Sequence, residues 1–305
     1  FLAMRYSIST NWNSYRHASA EAMLEEIQAL GFESVELGYA LPRAFAETVI
    51  QWQKEGKIKI SSLHAFCPIQ KGGAPTPEIF SICDLRDHRG ARQGISAAIE
   101  TGEYASRAGA KVVVMHAGRV PVARYVNKLS TLFDKGYIGT KRYERTLVKL
   151  MNKREKLALK QIDVLREALD EILPEYERLG VTLALENLPS YDGVPSEPEL
   201  DMLFTEYPTL GYWHDIGHGQ VRQNLGHIYH KGIVKRFTPK IAGMHIHDVI
   251  EGMADHHMPP GGMVKFDIFN EVVKKDIPLV FEPSHSCDGQ SIVNAVQYVQ
   301  QIWNI

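Results

Sequence analysis

His64 closes the run Ser61-Ser62-Leu63-His64, and His116 closes Val113-Val114-Met115-His116. Glu186 follows Ala184-Leu185, and Glu282 follows Val280-Phe281. Asp215 lies within His214-Asp215-Ile216-Gly217-His218, and His245 within Met244-His245-Ile246-His247-Asp248. Imidazole nitrogen and carboxylate oxygen together are the ligands that Zn²⁺, Mn²⁺ and Fe²⁺ take. Such an ion acts as a Lewis acid on a carbonyl, hydroxyl or phosphate oxygen. One such histidine alone is as readily a hydrogen-bonded strand end, and one such acid a helix cap or surface charge. Six of them at the ends of six short apolar runs point to a shared ion, because gathering them without one leaves buried polar groups uncompensated. His247 shares the face of His245 by the two-residue strand period but lies further out.

The elements that must position these residues follow from the hydrophobic pattern. Short apolar or β-branched runs cover 5–9, 34–37, 58–63, 111–115, 181–185, 211–214, 241–246 and 279–281. Amphipathic stretches with helical spacing lie between and after them, over 18–30, 42–55, 89–108, 142–179, 198–206, 219–230, 267–274 and 288–303. Strands alternating with helices pair in parallel through right-handed crossovers, and eight such units close a (β/α)8 barrel. An open doubly wound sheet is the alternative, but it calls for a glycine-rich turn after the first strand, where Thr10-Asn11-Trp12-Asn13 stands. Ser19 marks a helix start, and Gly31, Gly109 and Gly180 mark helix ends before strands. The chain therefore reads as a single barrel domain over 1–305, with a helical insertion at about 119–151 after strand 4. That insertion and the 67–88 loop both follow strand C-terminal ends, the face on which barrels build sites.

The 305 residues are 44% apolar and 23% charged, with a net charge of −2, ordinary values for a globular chain. No apolar run reaches the roughly 18 residues of a membrane span. Cys67, Cys83 and Cys287 form no disulfide framework and no CxxC pair. The first residues read directly into a strand without a basic-then-apolar leader, and the few cysteines make a reducing, cytoplasmic setting the expectation. Charge is uneven: residues 119–160 carry 12 Lys and Arg against 3 Asp and Glu, while the remainder is acidic.

With these residues in place, the sequence resembles the xylose-isomerase-like barrel superfamily, which groups sugar-phosphate isomerases and epimerases with endonuclease IV-type abasic-site nucleases. The resemblance runs from Met4 to Trp303 except for the insertion. It implies a core metal site of Glu186, Asp215, His245 and Glu282. The nuclease branch adds ligands at positions matched here by His64, His116, His218, Asp255 and His257, so one to three divalent ions (Mn, Zn or Fe) per chain are implied. The relatives' Gly-x-Gly segment is altered, because Gly261-Gly262 is followed by Met263.

The isomerase branch implies a metal that chelates a ketose carbonyl and its neighbouring hydroxyl, with Glu186 and Glu282 exchanging protons on opposite faces of a cis-enediolate. His218 would stabilise the developing oxyanion, while Arg119 and His64 would contact substrate. Glu36 is a candidate to orient His64, or else a structural acid. The nuclease branch implies metal-activated hydroxide attacking a phosphodiester, and it needs cations around the mouth. The basic 119–160 segment is the candidate, yet charges at helical spacing normally face solvent and the acidic remainder repels a phosphate backbone. A non-catalytic metal-binding barrel is the third alternative, and its expected signature is loss of a core acid. The expectation is thus a metal-dependent sugar or sugar phosphate isomerase or epimerase with a small carbohydrate substrate and no nucleic-acid or membrane partner. A homo-oligomer is compatible with it.

Overall fold

The computed structural model describes residues 5–70, 75–78 and 88–305. Gly72, Gly73 and Cys83 of the 67–88 loop lie outside the described residues. Eight parallel strands close a barrel: β1 (Ser7–Ser9), β2 (Ser34–Leu37), β3 (Lys59–His64), β4 (Val112–Met115), β5 (Thr182–Glu186), β6 (Gly211–Asp215), β7 (Ile241–Ile246) and β8 (Leu279–Phe281). Each pairs with its sequence neighbours, and β8 returns to β1 through Ser7↔Val280 and Ile8↔Phe281. These are the eight runs read from sequence, with ends shifted by up to two residues. His64, Glu186 and Asp215 fall inside their strands rather than after them.

Nine helices among the described residues surround the wall: α1 (Ala20–Ala29), α2 (Arg43–Lys54), α3 (His88–Arg107), α4 (Ala123–Asp134), α5 (Lys141–Leu179), α6 (Glu197–Glu206), α7 (Ile216–Asn224), α8 (His230–Phe237) and α9 (Gly289–Trp303). Local chemistry sets their limits. The Ser19 hydroxyl accepts from Ala22 N at the start of α1, and Gly180 ends the 39-residue α5 in a left-handed turn. The insertion consists of α4 and the first turns of α5, and Gly118–Arg119 pairs with Gly193–Val194 beside it.

Two expectations are corrected. The 219–230 stretch is not one helix: α7 begins earlier, capped by Asp215, and ends before Gly226 (φ 76°), after which α8 forms. The 267–274 stretch is a short 3₁₀ turn at Phe266–Phe269 followed by irregular turns. It buries Phe266, Phe269, Val272 and Val273, and the paired β-branched valines disfavour helix.

The main core lies between the wall and the helices. A smaller cluster of Val112, Val114, Ala184, Trp213 and Val280 fills the barrel itself. Trp213 needs Gly243 across the β6–β7 pair, because a Cβ there would lie 2.0 Å from its ring. This indole forms the floor of the mouth, edge-on to His245 with ring centroids 5.0 Å apart.

Most of the basic excess of 119–160 points to solvent, including Lys141, Arg142, Lys149 and Lys153. Arg154 is the exception: it is buried and makes a bidentate pair with Glu199 while donating to Gly193 O. Among the described residues no helix is long and apolar enough to cross a membrane.

Candidate metal centre

The ends of β5, β6, β7 and β8 bring Glu186, Asp215, His245 and Glu282 together. Register places Asp215 beside His245, and His245 beside Val280, two residues before Glu282 and on the same face. Nδ1 of His245 faces Glu186 Oε1 at 3.2 Å, Glu282 Oε2 at 3.3 Å and Asp215 Oδ2 at 3.6 Å. Glu186, Asp215 and His245 form one compact group of candidate ligand atoms, and Glu282 adjoins it through His245 and Asp215.

Their surroundings fix each ligand. Asn187 bridges the backbone of Asp215, accepting from its N–H and donating to its C=O at 2.8 and 2.9 Å. Asp215 Oδ1 accepts from His218 N at 2.7 Å, which starts α7. Glu36, fully buried on β2, places Oε1 3.1 Å from His245 Nε2, and its Oε2 accepts from Ser62 at 2.8 Å.

Burial disfavours every charge here; the partners outweigh it on the carboxylates and His245, while on His218 burial prevails. His116 and His245 hold Glu186 well below the ordinary carboxyl range. His218 and His247 do the same for Asp215, and His245 and His256 lower Glu282 against the opposing charges of Glu186 and Asp215. Burial would lower His245, but Glu282, Glu36 and Glu186 push it well above its usual value. The carboxylates stay ionised and draw protons onto imidazole, and their donor atoms are of the kind that could hold a divalent cation.

His64 and His116 sit alongside. Their Nε2 atoms lie 3.3 and 2.9 Å from Glu186 Oε2, and the three residues form a second compact ligand set sharing Glu186. His64 Nδ1 hydrogen-bonds Ala65 O at 2.9 Å, whereas His116 Nδ1 is buried without a hydrogen-bond partner. Tyr39 packs edge-on to His64 at the rim.

His218 hydrogen-bonds Asn187 O through Nδ1 at 2.8 Å, and its Nε2 faces Asp255 Oδ2 at 3.8 Å. Asp255 thus stands at the rim. His257 does not join the cluster: it is exposed, cross-strand from Asp248 in the ribbon of Asp248–Ile250 with Ala254–His257. His256 points inward instead, because its left-handed backbone (φ 56°) breaks the alternation. Its ring stacks on His247 with centroids 4.1 Å apart.

Arg119 is engaged by protein. It donates to Glu78 Oε1 at 2.7 Å, to Ser190 Oγ at 2.7 Å and to Asp192 Oδ1 at 3.1 Å. Glu36 proves to be the partner of His245 rather than of His64. Two participants carried no sequence signal, His256 and the Trp213 floor.

Known structures share this barrel fold. A crystal structure of a D-tagatose 3-epimerase-like protein superposes with a TM-score of 0.69 at 18% identity, covering 99% of this chain and 98% of that one. A 3-keto-D-glucoside 4-epimerase from E. coli gives 0.68 at 14%, covering 98% and 99%. The IOLI protein, solved with a zinc atom, gives 0.63 at 14%, covering 99% and 98%. An uncharacterized protein of Methanocaldococcus jannaschii is 28% identical over 120 residues, 38% of this chain and 44% of that protein, so the match spans less than half of the relative. The model of the xylose isomerase-like TIM barrel family matches residues 24–300. By that match, and by its closed eight-stranded barrel, the chain belongs to the xylose isomerase-like TIM barrel family.

Proposed function

We propose that the chain is a divalent-metal-dependent isomerase or epimerase of a keto sugar, with Glu186 and Glu282 as its proton-transfer pair. The observation that carries this is the convergence of both glutamates on His245 Nδ1, at 3.2 and 3.3 Å, from opposite sides of the β6–β7 pair. Glu186, Asp215, His245 and Glu282 would hold the ion. When bound, it supplies Lewis acidity toward a carbonyl and the hydroxyl beside it.

The glutamates reach a substrate carbon from two directions, so one removes a proton and the other returns one. Glu186 Oε2 lies against His116 and His64, which can pass protons to it. His218 gives its Nδ1–H to Asn187 O and burial lowers its pKa, so Nε2 offers the site a lone pair rather than an oxyanion donor. Trp213 closes the barrel beneath and keeps water from that side.

An unphosphorylated sugar fits better than a phosphate ester. The Gly262 and Val264 N–H groups donate to Asp248 Oδ2 and Oδ1, each at 3.0 Å, so an internal carboxylate occupies the backbone segment that would wrap a phosphate. Arg119 is likewise neutralised by Glu78 and Asp192. The epimerase names of the structural neighbours support the same class of chemistry.

A phosphodiesterase reading draws support from the second ligand set of His64, His116 and Glu186. A panel of ketoses and ketose phosphates in D₂O, run beside an abasic-site duplex, separates the two. Deuterium entering the sugar next to the carbonyl is the expected result. Cleavage of the duplex without sugar turnover would reverse the assignment.

A further inference from the structure

His247 belongs to no metal ligand set implied by the family resemblance, yet it is completely buried beside one. Its Nε2 lies 2.9 Å from Asp215 Oδ2. Its Nδ1 accepts from the backbone N–H of His256 at 2.9 Å. An accepting Nδ1 puts the ring proton on Nε2, so Nε2–H donates to the carboxylate. Burial disfavours charge on this ring, and Asp215 outweighs it to move the pKa up to about 9. A second proton on Nδ1 would nevertheless displace the His256 N–H, and the hydrogen-bond geometry favours the neutral tautomer.

The donor to Nδ1 is itself held from two sides. His256 Nδ1 hydrogen-bonds Glu282 O at 3.0 Å, and Ser284 N donates to His256 O at 3.0 Å. The left-handed backbone of His256 aims its N–H at His247. On the other side, Gly217 leaves room for the ring, since a Cβ there would lie 2.1 Å from His247 Cε1 and 2.2 Å from Nδ1.

We infer that His247 is a positioning residue that orients Asp215 toward the metal through an Nε2–H···Oδ2 hydrogen bond, with its tautomer set by the His256 backbone N–H and its access secured by Gly217. Carboxylate ligands are ordinarily held by such outer hydrogen bonds, and their loss costs 10–100-fold in metal affinity. His247 also shares two groups of candidate ligand atoms, one with His218 and His256 and one with Asp215 and Glu282. Its Nδ1 lone pair is taken by a backbone N–H, whereas Nδ1 of His245 faces the carboxylates of Glu186, Asp215 and Glu282, which separates the two roles.

The inference rests on the metal-site reading, and a titration with Co²⁺ tests both. The full chain is stripped of metal, then followed by visible absorption and calorimetry. Wild type should bind Co²⁺. His247→Leu should bind at unchanged stoichiometry but about 10–100-fold more weakly, while His247→Gln, which keeps an N–H donor, should stay within about threefold of wild type. Gly217→Ala, whose methyl pushes the ring away, should follow His247→Leu and carries the test if the leucine variant does not fold. No Co²⁺ binding by wild type would overturn the site itself, and this inference with it. Unchanged affinity in His247→Leu and Gly217→Ala would overturn only the positioning role. So would a Gln variant as weak as Leu, which assigns the effect to packing, or the loss of one whole equivalent of Co²⁺, which makes His247 a ligand.

Discussion

Glu36 Oε1 lies 3.1 Å from Nε2 of His245, on the opposite side of the ring from the nitrogen that faces Glu186, Asp215 and Glu282. A carboxylate behind a ligating imidazole fixes its tautomer and strengthens its free nitrogen as a donor to metal. Glu36→Ala should therefore weaken Mn²⁺ binding by roughly 10–100-fold. Glu36→Gln, which still accepts from Nε2–H, should lose much less. Calorimetric titration of the two variants checks the order, and equal affinities for both would contradict it.

Removing either acid of the proton-transfer pair should stop exchange without unfolding the barrel. Glu186→Gln and Glu282→Gln are each expected to lower turnover and deuterium wash-in by about 10²–10⁴-fold, the range of general acid–base catalysis. Activity that survives in both variants would remove the two-glutamate scheme. Circular dichroism should show the native helix content in each.

Metal should also be a stabilising ligand. Binding to the folded chain alone adds RT ln(1 + [L]/Kd), about 2.7 kcal/mol at a hundredfold excess over Kd. Chelator treatment should lower Tm, and Mn²⁺ or Zn²⁺ should restore it. A Tm indifferent to both chelator and ion would argue against a cation among these four residues.

His227 gives a pH dependence away from the metal centre. Burial, aided by Arg222, lowers its pKa to about 3 from the ordinary value of 6.5, and neither ring nitrogen has a hydrogen-bond partner. The folded pKa is depressed, so the unfolded chain binds the proton first. The contribution is fully present above about pH 6.5 and is lost as pH falls from there toward 3. His227→Leu should raise Tm at pH 5 relative to wild type more than it does at pH 7.5. Parallel melting curves at the two pH values decide it.

Much of this centre is legible in sequence because strand ends announce themselves. An apolar run followed by His64, His116, Glu186 or Glu282 locates both the wall and the mouth. What sequence periodicity misreads is local backbone. The alternation Asp255, His257 assumes an ordinary strand, and one left-handed residue at His256 exchanges which imidazole faces inward. Arg119 is visible as a charge near the mouth, but its partners Glu78, Ser190 and Asp192 come from two other loops. Glu36 is visible as a strand-end acid. Its link to His245 spans 209 residues and crosses the barrel interior, a relationship no local pattern encodes. The split between α7 and α8 was hidden because Gly226 looks like an interruption rather than an end.

The Glu36–His245 pair also has a bearing on assembly. Its two members come from the second and seventh strands, while the other ligands come from the fifth, sixth and eighth. Strands β7 and β2 approach only when β8 pairs with β1, which itself lies against β2. All four proposed ligands come from the second half of the chain, but an open sheet would leave His245 without the acid behind it. If these residues take an ion, its full affinity is expected only once the ring has closed and Glu36 stands behind His245, so tight binding would report that the last seam has sealed.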